Sequence, residues 1–241
     1  MLKGRKRELV ELLGRVEVAY AMDLAILCGA REFTATRKRL SELVKDGYVF
    51  EAWRDGSKIY YLTAEGMNQI ETRMKRIYNP KGATTDHALL ITKMAAYISI
   101  AANVSAKSII FDKEIRGLQS FSSINKDRGR DKFHSPDLIC GSNCYEIELN
   151  AKSKSRLVDN FRSNARLFNK QIWVTPNNLP SLNRHLRDLS DEFKSNIVII
   201  SVENLESKMK NIDISDNTIG RLIPVRIRDN EAFDILGGIF Q

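Results

Sequence analysis

The first third of the chain alternates between helical and β patterning. Over residues 7–18 the apolar positions Leu9, Val10, Leu12, Leu13 and Val16 fall on one stripe at helical spacing. Two further helical patterns follow at about 19–27 and 35–45, separated by the Gly29 break. β-rich runs at 48–53 and 58–62 then flank Arg54-Asp55-Gly56-Ser57, and Asp-Gly is a strong hairpin turn because both residues accept positive φ. After Tyr60-Tyr61-Leu62-Thr63-Ala64-Glu65-Gly66 a helical pattern resumes to about Tyr78, before Asn79-Pro80.

Residues 81–85 have the look of a short linker, so the pattern divides the chain into domains at 1–80 and 81–241. In the second, 86–102 has helical spacing with Leu89, Leu90, Met94, Tyr97 and Ile98 as apolar positions and Thr85 or Asp86 as N-cap. A strand at 108–111 leads to Asp112, Lys113 and Glu114. The polar, basic stretch 119–132, with Lys126, Arg128, Arg130 and Lys132, interrupts the pattern as a loop. Runs at 137–140 and 144–149 around Gly141-Ser142-Asn143 predict a second hairpin. Then come a helix over 152–168 with Leu157, Phe161, Ala165 and Phe168 inward, a strand at 171–175, a helix at about 179–193 and a strand at 197–202. A helix crossing between two strands points to an α/β sheet, in a chain that is α+β as a whole. The pattern assigns no element to residues 203–241.

At 241 residues, with 43% of them hydrophobic, the chain has material for a packed core. The formal charge of +8 favours a polyanionic partner, because each neutralised phosphate releases counterions. Nucleic acid is the first candidate and an acidic membrane surface the second. The charged start at Lys3, Arg5, Lys6 and Arg7 leads into no apolar signal core, and no run of ~18 apolar residues exists to span a bilayer. Cys28, Cys140 and Cys144 are odd in number and form no CxxC. A protein of the reduced cytoplasm, without membrane insertion, is the expectation.

The order helix, helix, helix, hairpin is that of a winged helix, and the run from Tyr60 to Gly66 resembles the end of the wing in many bacterial winged-helix proteins. Thr34, Thr36, Arg37, Lys38 and Arg39 then lie at the start of the third helix, where helix-turn-helix proteins place groove-facing residues, and Arg54 and Lys58 on the wing are candidate phosphate contacts. The same residues also suit a solvated helix face and hairpin tip, and winged helices also bind proteins, but the basic cluster decides for DNA.

In the second domain the chemistry sits on the hairpin. With an even loop, Asp137 faces Glu148 and Ile139 faces Glu146, so Asp137, Glu146 and Glu148 share one face while Tyr145, Ile147 and Leu149 point into a core. Carboxylates that close repel and favour a cation such as Mg²⁺ or Mn²⁺, which takes carboxylate, water and phosphate oxygens. The following helix presents Lys152, Lys154, Arg156, Arg162 and Arg166, with Lys170 just beyond. His87, His134 and His185 are the only histidines and do not cluster in sequence, which disfavours a histidine-held metal; His87 beside Asp86 and His134 before Pro136 remain candidates for substrate contact. No GxxxxGK[ST] is present to cradle a nucleotide.

The order helix, strand, hairpin, helix, strand, with Pro136-Asp137 ahead of Glu146-Ile147-Glu148, resembles the PD-(D/E)xK restriction-endonuclease-like fold over about 86–175. Glu148 stands where that pattern has lysine, which leaves Lys152 or Lys154 as its substitute, and Glu114 matches the upstream acid. Together with the winged-helix pattern, Asp86-His87-Ala88-Leu89, Lys113-Glu114 and the run from Tyr145 to Ser153 are similar to the replication-relaxation proteins, among them the MobC-type relaxases of mobilisable plasmids. That resemblance implies an endonuclease nicking one DNA strand at a plasmid transfer origin alongside relaxosome or coupling proteins. Asp137, Glu146, Glu148 and Glu114 would be metal and catalytic positions, and Lys152 a transition-state stabiliser. The alternative is a non-catalytic DNA-binding replication or relaxosome accessory protein with an inactive nuclease fold.

Overall fold

The computed structural model describes residues 2–30, 32–70, 78–119, 134–150 and 153–210. These form a mixed α+β protein with two sheets, and the described residues divide into two compact units at Ala106/Lys107.

In the first unit, α1 (Gly4–Val16) buries the expected stripe of Leu9, Val10, Leu12, Leu13 and Val16. It stops at Glu17, whose φ of 71° is incompatible with helix. The next residues form a short strand, β1 (Val18–Tyr20), where the sequence predicts helix throughout. The reason is tertiary: β1 pairs antiparallel with Ile59, Tyr60 and Tyr61. After α2 (Ala21–Leu27) and α3 (Phe33–Lys45) come β2 (Val49–Arg54) and β3 (Ser57–Leu62), closing the sheet in the order β1-β3-β2. The hairpin turn has Asp55 at φ 48° and Gly56 at φ 75°, as Asp-Gly predicts. Helix α4 (Ala64–Asn68) is capped by Thr63, whose Oγ1 accepts the Gly66 N–H at 3.0 Å.

Helix α5 (Gly82–Ala101) begins inside the expected linker and packs in this first unit, not in the second as the sequence division at 80/81 has it. Ala88 and Leu89 join Val18 and Ile59 in one buried cluster, and the buried Thr92 hydroxyl donates to the Val18 carbonyl at 2.8 Å. The sheet of the first unit needs a cover for that face, and α5 supplies it.

The second unit is built on a five-stranded sheet in sequential order: β4 (Ile109–Phe111), β5 (Leu138–Cys140), β6 (Asn143–Ile147), β7 (Lys170–Thr175) and β8 (Ile197–Ser201). β4, β5 and β6 pair antiparallel, whereas β6, β7 and β8 run parallel. Helix α6 (Asp112–Gln119) follows β4 directly. Helices α7 (Lys154–Leu167) and α8 (Pro180–Phe193) make the two parallel crossovers, and α9 (Val202–Lys210) follows β8. Leu157 and Phe161 of α7, Trp173 of β7, and Leu182, Leu186 and Leu189 of α8 form one core. Phe161 stacks on Trp173 at 6.1 Å between ring centres, and the indole N–H is satisfied by Gln171 Oε1 at 3.2 Å.

Candidate functional site

The β5–β6 hairpin turns on two residues, Gly141 and Ser142, so Cys140 pairs with Asn143 and Leu138 with Tyr145. Carried one step back, this register sets Asp137 opposite Glu146, two residues away from the predicted pairing with Glu148. The parity is unchanged, so Asp137 and Glu146 share a face as expected. Asp137 is anchored twice. Its carbonyl accepts the Asp112 N–H at 3.1 Å, and its carboxylate Oδ2 accepts the Ile147 N–H at 2.7 Å.

The face is not the open one that the sequence implies. Glu146 pairs across the parallel ladder with Trp173, which lies in the helix-covered core, so Glu146 is on the side of the sheet where α7 packs. Only 2% of it is exposed. Tyr145 and Ile147 on the other face are buried too, because a strand feeding a parallel crossover is covered on both sides. Glu146 Oε1 accepts from Asn164 Nδ2 at 2.8 Å and lies 2.5 Å from His134 Nε2. Burial raises the Glu146 pKa, against the lowering hydrogen bond from His134, and the neighbouring Asp137 charge raises it further. His134 is itself tied to α7, its backbone N–H donating to Ser163 Oγ at 3.4 Å. Glu148 is buried just past the end of β6, and its N–H donates to the Val174 carbonyl at 2.9 Å.

Glu114, predicted at the end of the first strand, sits instead in the first turn of α6. Its Oε2 accepts the Phe111 N–H at 3.0 Å, so it closes the start of its own helix. Lys152, Arg128 and Arg130 lie outside the described residues. Lys154, the other candidate for the displaced lysine, is exposed at the head of α7, and Arg156, Arg162 and Arg166 are exposed along it.

Among the described residues no three His, Cys, Asp or Glu side chains already form a metal-holding group. The donors present still suit a hard divalent ion, which needs one or two carboxylates and keeps water for the rest. Asp137 and Glu146 are close enough for one charge to raise the other's pKa, and Asn164 Oδ1 is buried without a hydrogen-bond partner among the described residues.

In the first unit, the candidate DNA-contacting residues of α3 separate by burial. Thr34, Arg37 and Lys38 are exposed and Arg39 is half-buried, but Thr36 is 2% exposed and faces inward with Leu40 and Leu43, so it cannot contact a ligand. The exposed stripe continues through Ser41 and Lys45, which the sequence reading missed although they follow Thr34 at i+7 and i+11. Glu42 is turned off this stripe to pair with Lys6 at 3.1 Å. On the hairpin, Arg54 is committed to Asp86 of α5 at 2.5 Å, and its pKa is raised by that hydrogen bond. Lys58 pairs with Glu51 at 2.7 Å. The hairpin cations are therefore already partnered, and those of α3 carry the outward charge.

Of the two side chains that hold Glu146, Asn164 was not foreseen, and His134 was foreseen only as a substrate contact. The signal for the first was present: Asn160 and Asn164 interrupt the apolar stripe Leu157, Phe161, Ala165, Phe168 at positions that helical spacing turns inward. Asparagine there needs a polar partner, and Glu146 provides it for Asn164.

Comparison of the chain with protein-family models, with curated proteins and with solved structures finds no match in any of the three. What the fold defines is a two-unit α+β protein, and no described helix is long and apolar enough to cross a membrane.

Proposed function

We propose that the protein is a metal-dependent DNA endonuclease that nicks one strand, with the first unit acting as a winged helix and the second as a restriction-endonuclease-like nuclease. The observation that carries this reading is the meeting of Asp137 and Glu146 across β5 and β6, at the strand positions where the resemblance to the PD-(D/E)xK fold expects its acids. The sequential sheet with a crossover helix after the hairpin supports it. So does the exposed basic stripe of α3.

Asp137, Glu146 and Asn164 Oδ1 would hold Mg²⁺ or Mn²⁺. The ion would polarise the scissile phosphate and lower the pKa of an attacking water. The chain's own contribution is positional. The Ile147 N–H fixes the Asp137 carboxylate, and Asn164 and His134 fix Glu146 Oε1. His134, with 22% of its side chain exposed, keeps its ring against the buried carboxylate. The exposed cations of α7 supply charge for the flanking phosphates. Mobilisation of a plasmid from its transfer origin, with relaxosome or coupling proteins as partners, is the role the resemblance points to.

A supercoiled-plasmid assay with Mg²⁺ or Mn²⁺ tests the reading. Wild type is expected to give open circles and Asp137→Asn to give none. The second reading, a DNA-binding protein whose acids are structural, is favoured by the burial of Glu146 and its two hydrogen bonds. DNA binding by wild type with no nicking in either metal would establish it and end the enzyme proposal.

A further inference from the structure

Among the described large apolar side chains Phe50, Trp53 and Leu167 stand exposed, Trp53 most of all at 71%. Trp53 lies on β2, an edge strand, one residue pair from the hairpin turn and directly opposite Lys58. The Lys58 ammonium sits over its ring, 5.8 Å from the centroid. Helix α3 repeats the motif, with the Arg37 guanidinium 5.8 Å from the Phe33 ring centre. Helix α3 packs against β2, and the Arg37 charge bears on Lys58, the cross-strand partner of Trp53, so the basic stripe of α3 lies beside the Trp53 side of the hairpin. Glu51 pairs with Lys58, so the outward positive charge on this side comes from the exposed Arg37 and Lys38 of α3.

In duplex DNA the faces of the bases are covered by their neighbours and only their edges are offered in the grooves. An exposed indole reaches a base face only where stacking is broken, and an unpaired base offers its face without the cost of unstacking a duplex. We propose that this surface binds a single-stranded DNA segment, Trp53 stacking on an unpaired base while Arg37 and Lys38 hold the flanking phosphates. The proposal rests on the DNA-binding reading above and adds to it the form of DNA engaged. A second copy of the chain on the same edge would bring cations against Arg37 and Lys38, whereas a phosphate backbone complements them.

The chain has two tryptophans, and Trp173 is fully buried, so a change in quenchable emission on binding reports Trp53. The experiment titrates the full chain, in EDTA to prevent cleavage, with one oligonucleotide as single strand and as duplex. Affinity is read by anisotropy of the labelled oligonucleotide and stacking by tryptophan emission with the unlabelled one. Single strand is expected to quench Trp53. Trp53→Ala is expected to weaken single-strand binding about 10-fold or more and duplex binding by less than about 2-fold, and Trp53→Tyr to restore most of the loss. Single-strand binding without quenching, or equal weakening on both forms, overturns the stacking role and leaves DNA binding standing. No binding to either form overturns both. A concentration-dependent shift of Trp53 emission without DNA assigns the indole to a contact between copies and overturns it as well.

Discussion

Asp23 is the residue in which burial most plainly opposes charge. It lies 3% exposed on α2 with Oδ2 lacking a hydrogen-bond partner among the described residues, and burial moves its pKa from 3.8 to about 7 against the charge of Lys93. A carboxyl group raised in the folded state ionises more readily once unfolded. Its contribution to stability is therefore whole below pH 3.8 and is lost as pH rises toward about 7. Asp23→Asn is expected to flatten that dependence and to stabilise the protein at pH 8 by on the order of 3 kcal/mol, read from urea unfolding at several pH values. Glu146 is buried as deeply but answered by His134 and Asn164. Removing one such support, as in Asn164→Ala, is expected to lower nicking about 10- to 100-fold, with kinetics at varied Mg²⁺ as the measure. The acids themselves were legible in the sequence as alternating carboxylates beside Pro136-Asp137. Their supports were not legible as supports, since the sequence offered His134 only as a substrate contact and Asn164 not at all, and the two reach Glu146 from 12 and 18 residues away.

Among the elements, α3 shows how amphipathic spacing allots roles. Thr36, Leu40 and Leu43 anchor it inward, and Thr34, Arg37, Lys38, Ser41 and Lys45 face out. Replacing Arg37 and Lys38 together with Ala is expected to reduce the slope of log affinity against log salt by about 2 while leaving the thermal midpoint unchanged. Helix α4 depends on close approach. A Cβ at Gly66 would lie 2.0 Å from the Tyr48 carbonyl oxygen, a backbone atom that cannot swing aside. Gly66→Ala is expected to destabilise by about 2 kcal/mol in denaturant unfolding. Periodicity gave most of the helices but not α6 or α9, where the sequence reading assigned none, and it missed β1, whose three residues are a strand only because β3 offers a partner.

Across the molecule, the basic helix face belongs to the first unit and the buried acidic site to the second, and the excess of 38 Lys and Arg over 30 Asp and Glu suits a phosphate-rich ligand. The sequence by itself determined most of the elements, the Asp55-Gly56 turn and the parity that sets Asp137 and Glu146 on one face, because these depend on local backbone preference and on side-chain alternation. Tertiary structure alone decided that this face is the one α7 covers, that Glu114 caps its own helix, that Thr36 turns inward and that α5 joins the first unit. Burial and long-range pairing arise from which surfaces meet, and periodicity records that a face is apolar without recording what will cover it.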